Sequence, residues 1–173
     1  VRTGLPEIEF QTIEIIQVTA GSGDDTFTIG NTRQQTRTLI DTGDGADSVR
    51  VTNSGDNSYL QIQTGNGTDE LIVRNTGEAS LLRADTADAD DDVTIEQTGI
   101  GSGLELMTGE GADLVTMLNN GVQSIASIDT EAGDDVLNIQ RLASQSSVDV
   151  TLGDGNDTAN VTSTANGSRA DST

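Results

Sequence analysis

The sequence predicts an all-β fold, a parallel β-solenoid (β-helix or β-roll-like) with one 22-residue coil per repeat and about seven regular coils. Three observations carry this. Asp25, Asp47, Asp69, Asp91, Asp113, Asp135 and Asp157 stand 22 residues apart, with no insertion or deletion over seven copies. Apolar and polar residues alternate on both sides of each Asp, which is the period of a strand. Thr, Val, Ile, Gly, Asn and Asp abound while Met is scarce and Lys is absent, a bias toward strands and turns over helices.

The elements follow from the columns. Two residues after each Asp come Phe27, Val49, Leu71, Val93, Val115, Leu137 and Ala159, and two further on come Ile29, Val51, Val73, Ile95, Met117, Ile139 and Val161. These read as one short strand. Seven residues before each Asp lie Val18, Ile40, Ile62, Ala84, Leu106, Ile128 and Val150, followed by Thr42, Thr64, Thr86, Thr108 and Thr130. These read as a second strand, with the Thr hydroxyls facing inward and bonding along the stack. Gly-x-Gly-x-Asp joins the two strands. A polar Asn-x-Gly-x-x-Ser segment closes the circuit, and stacked amides from Asn31, Asn53, Asn75 and Asn119 are expected to satisfy one another there.

A 22-residue unit has no room for a helix of useful length and cannot bury its apolar face alone, so the coils must stack. At the strand spacing of about 4.8 Å, seven coils extend roughly 34 Å. The expected organisation is a divergent coil or N-terminal cap over 1–17, where Ile8, Phe10, Ile13 and Ile15 alternate. Seven repeats follow, over 18–39, 40–61, 62–83, 84–105, 106–127, 128–149 and 150–171. The polar stretch from Thr164 onward is expected to fray. The chain starts at Val1 without a signal-peptide pattern, which suggests a processed protein or a piece of a longer one.

Composition excludes several functions. The formal net charge is -21 and all eight basic residues are Arg, so the chain should repel nucleic-acid phosphates and anionic membrane surfaces and attract cations. No apolar run is long enough for membrane insertion. The absence of Cys and His removes disulfides, the common zinc sites and Ser-His-Asp or Cys-His catalysis. No coil carries a distinctive acid-base set, and the expectation is that the chain is not an enzyme.

Stacked Asp carboxylates repel. At one coil spacing the cost is roughly 3 kcal/mol per pair with an effective dielectric of about 20. Asp24, Asp44, Asp88, Asp90, Glu110, Asp134 and Asp154 add to the charge of the loops. Two readings are open. A hard divalent cation such as calcium binds through carboxylates and loop carbonyls, or each Asp caps its turn by accepting backbone N–H bonds.

The stretches "TGDGADSVR" (42–50), "TGNGTDELI" (64–72), "TGEGADLVT" (108–116) and "LGDGNDTAN" (152–160) resemble the calcium-binding nonapeptide G-G-x-G-x-D-x-U-x of RTX (repeats-in-toxin) β-rolls from its second position onward. The resemblance implies multiple structural Ca²⁺ ions held by the side chains of the seven motif aspartates. Loop carbonyls around Gly21, Gly23, Gly43, Gly45, Gly65, Gly67, Gly109, Gly111, Gly133, Gly153 and Gly155 would complete the sites. The pattern departs from the family in having one loop edge rather than two. It also departs at Ala87 and Ala89, which replace glycines, and at Glu131 and Ala132.

The wider pattern, "IQTGNGTDELIVRN" (62–75) for example, looks like repeats of large bacterial adhesins and surface proteins. The functional expectation is therefore a non-enzymatic structural or adhesive module, extracellular or at the cell surface, with the rod stiffened by calcium. Its expected partners are calcium ions, neighbouring solenoid chains in a fibre or end-to-end stack, and a host or cell-surface ligand. The alternatives are a polysaccharide-acting β-helix enzyme and an ice-binding solenoid. The mixed outward column Thr28, Arg50, Ile72, Thr94, Thr116, Asn138, Asn160 does not resemble the regular Thr arrays of ice-binding solenoids.

Overall fold

The structure, a computed structural model, describes residues 14–172. Its strands in chain order are β1 (Ile15–Thr19), β2 (Thr26–Gly30), β3 (Arg37–Asp41), β4 (Ser48–Thr52), β5 (Tyr59–Gln63), β6 (Glu70–Arg74), β7 (Leu81–Asp85), β8 (Asp92–Glu96), β9 (Gly103–Met107), β10 (Leu114–Leu118), β11 (Ile125–Asp129), β12 (Val136–Leu142), β13 (Ser147–Thr151), β14 (Thr158–Thr164) and β15 (Arg169–Ser172). No helix occurs among the described residues. The odd strands form one eight-stranded parallel sheet and the even strands a seven-stranded one. Each strand pairs with the strand one coil later at an offset of 22, as in Leu60↔Leu82 and Val49↔Leu71. The chain is a two-sheet parallel β-solenoid of about seven turns.

The coil length follows from its parts. Between β3 and β7 each strand has five residues, and each turn between strands has six, as in 42–47 and 53–58. The Thr column lies one residue beyond the strand end, at the entrance to the first turn. β1 begins within the stretch expected as a divergent coil or cap, where Ile15 pairs with Arg37. The rest of the proposed cap, including Ile8, Phe10 and Ile13, lies outside the described residues. At the other end, β15 pairs in register with β13, so the polar stretch after Thr164 contains a strand.

Small aliphatic side chains fill the space between the sheets. Leu60, Ile62, Leu71, Val73, Val93, Ile95, Val115, Leu137 and Ile139 are fully buried. Full burial of such a side chain contributes roughly 1.5–3 kcal/mol, and repetition over successive coils makes the core continuous without aromatic residues.

Alternate members of the Thr column are satisfied at one coil spacing, while the hydroxyls of Thr64 and Thr108 are buried without a partner. Thr42 Oγ1 donates to the Thr64 carbonyl at 2.9 Å, Thr86 to Thr108 at 3.3 Å and Thr130 to Leu152 at 3.0 Å. The expected amide ladder is present over three of its four Asn: Asn53 Nδ2 donates to Asn31 Oδ1 at 2.8 Å and Asn75 Nδ2 to Asn53 Oδ1 at 2.7 Å, whereas Asn119 Oδ1 accepts from the Arg141 guanidinium at 3.1 Å. These three Asn and Asn119 have φ of 53–55°, a left-handed conformation that Asn tolerates well. A further column was not singled out by the spacing. Thr32, Ser54, Thr76 and Thr98 each accept the backbone N–H of the glycine 23 residues on.

In the first turn Gly67 has φ +132°, and a Cβ there would overlap the carbonyl of Gly45 in the coil below. The equivalent Ala89 sits at φ 107°, so coil four carries the expected strain at this place. Gly67→Ala is expected to cost about 2 kcal/mol, and Ala89→Gly to recover up to about 1 kcal/mol. Gly21→Ala, where nothing lies within 4 Å of the added atom, should change stability by less than about 0.5 kcal/mol. Chemical denaturation followed by circular dichroism measures all three, and equal shifts at Gly21 and Gly67 would contradict the packing.

Candidate functional site

The Gly-x-Gly-x-Asp turns stack into one edge of the solenoid. Each motif Asp is the last residue before an even-numbered strand, so strand alternation turns its side chain inward while its two neighbours face out. Asp47, Asp69, Asp91, Asp113 and Asp135 are at most 3% exposed. Asp25 and Asp157, at the two ends of the column, are half-buried.

The carboxylates are joined to the adjacent coil. Asp25 N–H donates to Asp47 Oδ1 at 2.7 Å, Asp47 N–H to Asp69 at 2.8 Å, and Asp69 N–H to Asp91 at 2.8 Å. The series continues from Asp91 to Asp113 and Asp113 to Asp135 at 2.9 Å, and from Asp135 to Asp157 at 3.0 Å. Every link uses Oδ1 and points back one coil. The Oδ2 atoms of Asp47, Asp69, Asp91, Asp113 and Asp135 are buried without a hydrogen-bond partner.

Outer acidic residues complete the pinning in the opposite sense. Asp24, Asp90 and Asp134 accept the N–H of Ala46, Ala112 and Asn156 in the coil that follows, at 2.8–3.1 Å. Asp44 accepts from the Asn66 amide at 3.1 Å. Much of the acidic excess in these loops therefore caps backbone donors. Further round the edge, Glu70, Asp90 and Asp92 border a shallow cavity of ≈ 330 Å³. Burial, with the Glu70 charge as a smaller cause, pushes the Asp92 carboxyl up.

The glycines set the loop geometry. Gly43, Gly45, Gly65, Gly67, Gly109, Gly111, Gly153 and Gly155 have positive φ, as does Gly23. The carbonyl of Gly43 points along the axis toward Gly65, and that of Gly45 toward Gly67. Gly21 and Gly133 are outside the left-handed region, and in the loop of Gly133 the left-handed place is held by Glu131 at φ 59°. Coil four places Ala87 at φ 60°.

Among the described residues no three acidic side chains form a group that could by itself hold a metal ion. In kind, the donors suit a hard cation: unpartnered carboxylate oxygens, Thr hydroxyls and peptide carbonyls, with no nitrogen or sulfur ligand. In number, an ion between two coils would take one Oδ2 from each and need neutral oxygens or water for the rest of its six to eight ligands.

Burial pushes the carboxyl groups of Asp69 and Asp113 up, and that of Asp91 up to about 7. Neighbouring Asp charges act in the same direction. The N–H of the preceding motif Asp partly offsets the rise.

No protein-family profile, curated protein or solved structure matches the chain.

Two outcomes follow from the geometry. Asp69→Ala leaves the buried Asp47 N–H without an acceptor and is expected to cost about 2 kcal/mol in calcium-free buffer, whereas Asp69→Asn keeps Oδ1 and should cost less than about 1 kcal/mol. The unfolded chain ionises Asp91 near 3.8 and the folded chain near 7. The protonated form therefore favours folding, and this contribution is present below 3.8 and lost as pH rises through 7. In EGTA the melting temperature should fall from about pH 4 to about pH 7, and Asp91→Asn should flatten part of that fall. A melting temperature that rises over the same interval would contradict it.

Proposed function

We propose that the chain is a non-enzymatic structural module, a rod belonging to an adhesive protein outside the cell or on its surface, and that its Asp-lined edge takes up calcium. The observation that supports the calcium reading best is the series of five buried Oδ2 atoms without partners. An isolated buried carboxylate is costly unless a cation or a proton compensates it. No Lys is present, and the ion pairs Arg74–Glu96 and Arg83–Glu105 involve none of the motif aspartates. At neutral pH a divalent cation would neutralise two coils at once.

The rod reading is supported by the fold. Successive coils share one core, and the two sheets run in register from coil to coil. Extracellular calcium is abundant enough for weak oxygen sites, which would link folding of the rod to its arrival outside the cell.

A calcium titration of the chelated protein tests the reading. Each site filled to about a hundred times its dissociation constant adds about 2.7 kcal/mol, so several sites should raise the melting temperature steeply in the millimolar range. Asp69→Asn and Asp91→Asn should each lower the number of ions bound in calorimetry while the fold persists. An unchanged melting temperature from EGTA to excess calcium would overturn the calcium reading and leave the aspartates as caps.

A further inference from the structure

A furrow runs along the solenoid axis on the outer face of the odd-stranded sheet, crossing β1, β3, β5, β7 and β9. One wall is the outward column Gln17, Leu39, Gln61, Arg83 and Glu105. The other is Thr19, Asp41, Gln63, Asp85 and Met107. Two cavities of ≈ 190 and ≈ 170 Å³ lie in it and share Gln61 and Gln63. Five strands at about 4.8 Å spacing give it a length of roughly 19 Å.

The repeat does not require these residues, because the outward columns differ from coil to coil. The furrow's side chains nonetheless hold one another. The Tyr59 hydroxyl donates to Gln61 Oε1 at 3.2 Å, and the Arg37 guanidinium lies 5.2 Å from the centre of the Tyr59 ring. Arg83 pairs with Glu105.

We propose that this furrow binds a linear, uncharged polysaccharide. Its floor is sheet backbone at Ile40, Ile62 and Ala84, whose N–H and C=O groups are already used in the parallel ladder, so a peptide cannot add a strand there. Its walls offer amides, carboxylates and a hydroxyl, groups that suit sugar hydroxyls acting both as donors and as acceptors. Leu39 and Met107 are their only apolar members, too few for a lipid or an apolar helix. Asp41, Asp85 and Glu105 outnumber the single wall cation Arg83, and the chain as a whole carries -21, which opposes a polyanion.

The site uses none of the motif aspartates, so it stands or falls separately from the calcium reading.

Affinity electrophoresis and calorimetry with soluble glucan, xylan and mannan test the proposal, with polygalacturonate as the anionic control. At least one neutral polymer should bind. The double change Gln61→Ala/Gln63→Ala should weaken it about tenfold, the equivalent of about one hydrogen bond, at an unchanged melting temperature. The control Thr94→Ala/Thr116→Ala, on the other sheet, should alter it less than about twofold. Hydrogen exchange of the unaltered protein maps the site without substitutions, and protection confined to β1, β3, β5, β7 and β9 is expected. Failure of all three neutral polymers, equal binding by the furrow variant, tighter binding of polygalacturonate, or protection only on the even-stranded sheet would each overturn it.

Discussion

The constraint on which the rest of the structure depends is the fixed 22-residue register between parallel strands. A polar group inside the stack finds its partner in its own turn, as Asn120 does at Ser124, or in the coil above or below. The hydroxyl of Thr42, the Asn53 and Asn75 amides and the Asp carboxylates use the second direction. One inserted residue would displace a coil from its neighbours and reverse the strand faces beyond it. The absence of any insertion over seven motif copies is the sequence-level trace of this condition. The core adds free energy but specifies less, since one aliphatic side chain can replace another, as at Val49, Leu71 and Val93.

The Asp column combines an attraction and a repulsion of similar size. A hydrogen bond from a backbone N–H to a charged carboxylate contributes about 1.5–3 kcal/mol. Repulsion between adjacent charges at coil spacing is roughly 3 kcal/mol before solvent and salt reduce it. Two terms this close make the state of the column sensitive to what neutralises it. A proton meets the need in acid, in line with the upward displacement of Asp69, Asp91 and Asp113. The unpartnered Oδ2 atoms leave space in the chemistry for a cation at higher pH.

The regular features of the fold were legible because they repeat. Seven Asp at one spacing gave the coil length, alternation gave the inward columns, and the Asn column marked the second turn; its left-handed backbone, φ 53–55°, came only with the structure. The direction of the Asp side chain was not legible. Gly-x-Gly-x-Asp fits a metal loop and a capped turn equally well, and only the backbone path shows Oδ1 against the N–H of the previous coil. The axial direction of the Gly43 and Gly45 carbonyls depends on how two coils pack, which no single repeat encodes. The furrow was missed for the opposite reason. Tyr59, Gln61, Arg83 and Glu105 share a face only once the 22-residue offset is applied to residues that do not repeat.

The central claim is that each motif Asp from Asp47 to Asp157 pins the backbone of the preceding coil. Amide hydrogen exchange in calcium-free buffer tests it most directly. The N–H groups of Asp47, Asp69, Asp91 and Asp113, which donate to the next carboxylate at 2.8–2.9 Å, should be as protected as those of the flanking strands. The N–H of Asp69 should lose that protection in Asp91→Ala but keep it in Asp91→Asn. Exchange of these amides at the rate of exposed loop residues, or equal behaviour of the two variants, would contradict the account.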